Sequence, residues 1–169
     1  MLALLLCAIL IAGCIPTPAF AANYDISAGS ITINDSDTHT VSGSAATGNY
    51  ILVTGGSPVI TISGLGITAP TTPALDIQAG DVTLILEDSN SLTGGVGTNG
   101  VGCAGIRVAP GASLTIANTS TGSLTAIGGN GTTLGSGDSG AGIGSNGWEE
   151  SFGTITINEI GRASCRERV

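Results

Sequence analysis

Ala74-Leu75-Asp76-Ile77-Gln78-Ala79-Gly80-Asp81-Val82-Thr83-Leu84 carries two short alternating runs joined by a glycine. Successive side chains of a strand point to opposite faces. Leu75 and Ile77 therefore share a face, as do Val82 and Leu84, while Asp76 and Thr83 turn the other way. The second run is one copy of a returning triplet, apolar residue, Thr, apolar residue. The other copies are Ile31-Thr32-Ile33, Ile60-Thr61-Ile62, Leu114-Thr115-Ile116 and Ile155-Thr156-Ile157. The first run has a loose echo in Gly105-Ile106-Arg107-Val108-Ala109-Pro110-Gly111. Gly, Asn, Asp and Ser fill the intervals, and these are turn residues. The pattern reads strand, turn, strand, many times over.

The triplets recur after 29, 22, 32 and 41 residues, and the added length collects in the Gly-rich segments 94–102 and 128–147. Shorter phrases return as well: Ala104-Gly105-Ile106 with Ala141-Gly142-Ile143, and Ser91-Leu92-Thr93 with Ser123-Leu124-Thr125. Self-similarity at periods of about 20 to 50 residues is the mark of a solenoid. Strands this short bury a face only by stacking on one another. The expected fold is all-β, a parallel β-helix of roughly five or six coils. A β-sandwich is the rival, since it also uses many short strands. It predicts Asn-Gly hairpins, whereas Asn-Gly here falls chiefly inside the long Gly segments.

Composition agrees with a narrow, repetitive interior. The 169 residues include 28 Gly, with 3% aromatic and 9% charged residues against 41% apolar ones. Abundant Ile, Val and Thr distinguish the chain from disordered sequences of similarly low charge. The formal net charge is −8, and Arg107 is the one basic residue between Ala22 and Ile160. A surface this acidic repels phosphate backbones, which excludes nucleic acid as a partner.

Both ends read as separate from the fold. Residues 1–21 form an expected signal peptide: Leu2 to Ala12 is an apolar run, Pro16 and Pro18 break it, and Ala19-Phe20-Ala21 offers a cleavage site. That run is too short to span a bilayer, so no spanning segment is expected in the mature chain. Ile11-Ala12-Gly13-Cys14 also resembles a lipobox, which would anchor the protein through a lipid on Cys14. The β-helix domain is expected over 22–160. In 161–169, Gly161-Arg162-Ala163-Ser164-Cys165-Arg166-Glu167-Arg168-Val169, charge density jumps and changes sign. This tail reads as foreign or frameshifted sequence, and the whole as an N-terminal fragment; a natural basic tail is the alternative. Of four cysteines only Cys103 lies in the body, which excludes a disulfide framework there and makes Cys103 an expected small buried residue.

Tyr24-Asp25-Ile26-Ser27-Ala28-Gly29-Ser30-Ile31-Thr32-Ile33, the stretch Ala74 to Leu84, Leu86-Glu87-Asp88-Ser89-Asn90-Ser91-Leu92 and Ala141-Gly142-Ile143-Gly144 resemble secreted bacterial proteins described as carbohydrate-binding domain-containing. The resemblance covers Tyr24 to about Asn158. It implies a right-handed parallel β-helix at the cell surface, with a polysaccharide or cell-wall glycan as partner. Related members are associated with calcium and acidic plant polysaccharides.

Calcium takes six to eight oxygens. The densest oxygen clusters are Asn34-Asp35-Ser36-Asp37 and Glu87-Asp88-Ser89-Asn90, so Asp35, Asp37, Glu87 and Asp88 are the candidate ligands, with Asp76 and Asp81 as neighbours in a stack. Ordinary turn chemistry explains the same residues. Sugar rings stack on exposed aromatic faces, which makes Trp148, Tyr50 and Phe152 the carbohydrate-binding candidates. The alternative for Trp148 is a cover over the end of the apolar stack.

Other motifs are weaker. Gly94-Gly95-Val96-Gly97-Thr98-Asn99-Gly100-Val101 nearly matches a calcium nonapeptide but stands alone. Gly135-Ser136-Gly137-Asp138-Ser139-Gly140 fits G-x-G-x-x-G without a strand–helix context. Gly137-Asp138-Ser139-Gly140 with His39 resembles a protease nucleophile segment on a flexible Gly loop, with His39 expected to face outward from a strand. A polysaccharide lyase would need Arg107 as its base, and a hydrolase would need two carboxylates set across the bond. No catalytic residues are expected. The functional expectation is glycan binding without catalysis, calcium-assisted or not; a structural adhesin stalk is the alternative, and a lyase-like enzyme the remoter one.

Overall fold

A computed structural model describes residues 21–45, 48–97, 99–132 and 138–158, with the backbone of 163–166. The expected signal peptide up to Phe20, with the lipobox, lies outside the described residues. The strands are β1 (Ala22–Asp25), β2 (Ile31–Ile33), β3 (Thr38–Ala45), β4 (Ile51–Val53), β5 (Val59–Thr68), β6 (Leu75–Ile77), β7 (Asp81–Glu87), β8 (Ser89–Thr93), β9 (Ile106–Val108), β10 (Ser113–Ile116), β11 (Ser123–Ile127), β12 (Ile143–Gly144), β13 (Thr154–Ile157) and β14 (Ala163–Arg166). Among the described residues one 3-10 turn, Ile26–Ala28, follows β1, capped by the Asp25 side chain. The protein is all-β among the described residues. No helix there is long and apolar enough to cross a membrane.

Every pairing between these strands is parallel. That rules out the hairpins a sandwich requires. One sheet has five strands in the order β12-β9-β6-β4-β2, and the other has nine, in which β13-β10-β7-β5 and β5-β8-β11-β14 meet at β5. The chain enters the five-stranded sheet, crosses to the nine-stranded one, and returns. It does so from β2 to β3, β4 to β5, β6 to β7 and β8, β9 to β10 and β11, and β12 to β13 and β14. β14 lies in the basic tail and runs beside β11, with Leu124 opposite Ala163. β5 bridges two faces because it bends without breaking at Gly64, which has φ 59°. One pass later the same corner is Asp88, at φ 55°, and the strand divides there into β7 and β8.

Inward side chains stack in columns. Val82, Leu114 and Ile155 align, as do Leu84, Ile116 and Ile157. On the five-stranded sheet, Ile31, Ile51, Leu75, Ile106 and Ile143 form another column. Apart from Ile157, which is exposed at the end of its column, these aliphatics belong to one continuous core cluster, with Ile143 and Ile155 packed against its edge. Each fully buried aliphatic contributes about 1.5–3 kcal/mol, set against the chain entropy lost on ordering. Two polar side chains close the corner between the two faces of the larger sheet. Buried Asn90 accepts from Leu65 N–H (2.9 Å) and donates to the Glu87 and Ser123 carbonyls, and Ser120 Oγ accepts from Leu86 N–H (3.1 Å).

The structure corrects two expectations, the outward face of His39 and the looseness of the glycine-rich segments. The triplet Ile60-Thr61-Ile62 does not align with Val82-Thr83-Leu84; its partner is Leu84-Ile85-Leu86, two residues on. On its other side lies His39-Thr40-Val41. His39 thus occupies an apolar position of the repeat and faces inward, 2% exposed, while Thr38 and Thr40 take the outward positions. The Gly-rich segments are also not simply flexible. Gly94, Gly95, Gly102, Gly128, Gly129 and Gly140 lie backbone against backbone: a Cβ at Gly129 would overlap the Gly95 carbonyl, and one at Gly128 the Gly140 carbonyl. Hydrogen bonds fasten this seam, including Gly94 N–H to Ile127 O (2.8 Å) and Gly129 N–H to Cys103 O (2.8 Å).

Candidate functional site

The outward column of the five-stranded sheet reads Thr32, Leu52, Asp76, Arg107, Gly144. Asp76 and Arg107 are direct neighbours across strands, and Arg107 Nη1 donates to Asp76 Oδ1 at 3.0 Å. At the next rung stands a glycine, so the other flank of the guanidinium has no neighbouring side chain from the strand. Glu149 fills it from the loop after β12. Arg107 Nε lies 2.9 and 3.1 Å from the two Glu149 oxygens, and Nη2 lies 2.7 Å from Oε1. Hydrogen bonding to Glu149, and secondarily to Asp76, raises the Arg107 pKa against the opposing effect of burial. The guanidinium is held protonated, the reverse of what a lyase base needs.

Glu149 anchors a tight turn. Its Oε2 accepts from Asn146 N–H at 2.9 Å, and Asn146 Oδ1 accepts from Ala104 N–H at 2.9 Å. Gly147 N–H donates to Gly102 O at 2.9 Å. Between Gly147 and Glu149 stands Trp148 with φ 69°, a left-handed conformation unusual for a bulky residue. Trp148 is 54% exposed and Phe152 58% exposed. More than half of each aromatic therefore meets solvent. Beside the turn lies a cavity of about 240 Å³, lined by Gly97, Asn99, Val101, Cys103, Asn146, Gly147 and Glu149. Cys103 is buried, as expected, and burial pushes its thiol pKa up.

Tyr50, the third aromatic candidate, is half-buried just before β4. Two strands, β6 and β9, separate β4 from β12, a spacing of about 14 Å at ~4.8 Å per strand. Tyr50 is not brought to the Trp148 turn.

The four candidate calcium ligands divide between two corners. Asp35 and Asp37 lie between β2 and β3; Glu87 and Asp88 lie at the β7–β8 corner. Asp35 Oδ1 accepts from Asp37 N–H (3.0 Å) and contacts His39 Nε2 (2.7 Å); the first of these, then the second, lowers the Asp35 pKa. Asp88 Oδ2 accepts from Ser63 Oγ at 2.9 Å. Asp76 is held by Arg107, and Asp81 accepts from Ser113 Oγ at 2.6 Å. Among the described residues no three His, Cys, Asp or Glu side chains gather as a metal-holding group. Each corner offers two carboxylates, so other oxygens would have to complete a calcium shell there.

His39 sits in the core, its ring centroid 5.8 Å from that of Tyr24 at 39°, with Nδ1 buried and unpartnered. Ser139 lies in the loop between β11 and β12, and 133–137 fall outside the described residues. In the nonapeptide-like stretch, Gly94 and Gly95 are part of the glycine seam.

Sequence reasoning did not assemble the Asp76–Arg107–Glu149 bracket. A signal for half of it was present: in the two echoed phrases, Leu75-Asp76-Ile77 and Ile106-Arg107-Val108 carry opposite charges at the same position. Glu149 stands 42 residues from Arg107, and nothing local joins them. No protein-family model matches the chain, and neither a curated protein nor a solved structure matches it significantly.

Proposed function

We propose that the chain is a right-handed parallel β-helix of a secreted or cell-surface protein, and that it binds carbohydrate without altering it. The parallel pairing and the repeated passage between two sheets support the solenoid. The signal-like residues 1–21 support secretion. The observation that carries the binding role is Trp148: an exposed indole on a left-handed residue, held by a turn that Arg107 and Glu149 lock in place. Strained backbone with a bulky exposed side chain is concentrated at binding sites, and sugars stack on such faces. Phe152 extends the aromatic surface. If calcium assists, Asp35 with Asp37 and Glu87 with Asp88 are its carboxylates.

A polysaccharide array, probed in calcium and in chelator, tests this reading. The expected result is retention on at least one glycan, weakened at least tenfold by Trp148→Ala, with no shortening of the glycan. Absence of binding in both conditions removes the proposal and leaves the adhesin stalk, which the unbroken columns of the core equally support. Release of products from the glycan would replace it with an enzyme.

A further inference from the structure

We infer that the cavity beside the Trp148 turn is a subsite for one uncharged sugar ring, and that calcium takes no part in it. This rests on the glycan-binding reading and narrows it to a ligand class. The cavity, at about 240 Å³, is smaller than the roughly 300–1,000 Å³ of drug-sized pockets, which suits a single ring. Its lining combines Val101 and Cys103 with Asn99, Asn146, Glu149 and the backbone of Gly97 and Gly147. Apolar surface beside amides fits a ring with hydroxyls on its edge. Asn146 has its oxygen committed to Ala104 N–H, so its NH2 is the group it can offer a hydroxyl.

The charges select against ions of either sign. The Glu149 carboxylate accepts from Arg107 Nε and Nη2 and from Asn146 N–H, which engages both of its oxygens. A cation entering the cavity would have to displace a guanidinium. A uronate would meet a guanidinium already paired with two carboxylates, those of Glu149 and Asp76. Asp76, Arg107 and Glu149 together carry one net negative charge, and exposed Glu150 adds another. A neutral, hydroxylated ring is what remains.

Trp148 is the chain's single tryptophan, so intrinsic fluorescence reports on this turn directly. The probes are cello-, manno-, xylo- and galacto-oligosaccharides, with oligogalacturonate as the acidic comparison, each titrated with and without EDTA. The expected result is a saturable change in emission with at least one neutral series, unaltered by EDTA and absent with oligogalacturonate. Val101→Phe, which fills the cavity, and Asn99→Phe, at an exposed loop position that spares the core, should each weaken that binding at least tenfold. Binding that survives both substitutions, needs calcium, or favours the uronate overturns the inference. Glycans retained on the array without any change in Trp148 emission also overturn it, while leaving the broader reading intact. Failure to retain any glycan overturns both.

Discussion

Truncating one column of the core at two depths tests whether stacked rungs hold this protein together. Leu84, Ile116 and Ile157 occupy the same register position on β7, β10 and β13, with Leu84 and Ile116 fully buried and Ile157 42% exposed. Leu84→Ala removes three carbons, about 2.4 kcal/mol of transfer free energy at ~0.8 per methylene. A residual cavity of roughly 50 Å³ adds about 1 kcal/mol. The expected loss is thus about 3.5 kcal/mol, or a fall in Tm of ~10 °C for a chain of this size. Ile157→Ala removes as many carbons from a half-open site that leaves no enclosed void, so about 1.5 kcal/mol is expected. Urea unfolding followed by circular dichroism, compared with Trp148 fluorescence, reads both. Equal losses from the two variants, or a loss below about 1 kcal/mol for Leu84→Ala, would refute the stacked-column account.

Three further outcomes are expected. Asn90→Ala strands the buried Leu65 N–H and the Glu87 and Ser123 carbonyls, and should cost about 2–4 kcal/mol in urea unfolding, well above an exposed control such as Asn118→Ala. Asp35 has its pKa lowered in the folded state, so its stabilisation is present above the unfolded carboxylate value and lost as pH falls; the urea midpoint should drop between about pH 5 and pH 3, and Asp35→Asn should shrink that drop. Arg107→Met releases Glu149, so the fluorescence anisotropy of Trp148 should fall while circular dichroism keeps its strand signal, and unchanged anisotropy would deny Arg107 its positioning role.

Strand identity was readable from the triplets, because alternation of burial is written into adjacent residues. Register was not. Ile60-Thr61-Ile62 pairs with Leu84-Ile85-Leu86 and not with the next triplet; β5 crosses its corner unbroken while the next pass divides at Asp88, and corner geometry leaves little trace in spacing. His39 was misplaced for the same reason: as the one polar member of an apolar column, it is recognised only once Ile60 is seen beside it. Trp148 and Phe152 stood out as loop aromatics. What holds Trp148 did not, since the Arg107–Glu149 contact spans 42 residues and depends on the missing side chain at Gly144.

The glycine seam reverses an ordinary expectation about where a protein tolerates change. Connecting segments usually drift fastest in sequence and accept insertions. Here Gly94, Gly95, Gly128 and Gly129 touch neighbouring main chain so closely that even one added methyl collides with a carbonyl or its neighbours. Mutational scanning should therefore show the outward faces of the strands, such as Thr83 and Thr115, as the permissive ground, and these inter-strand segments as the guarded one. A designer wishing to extend or relabel this molecule would do better to work on its flat sides than at that edge.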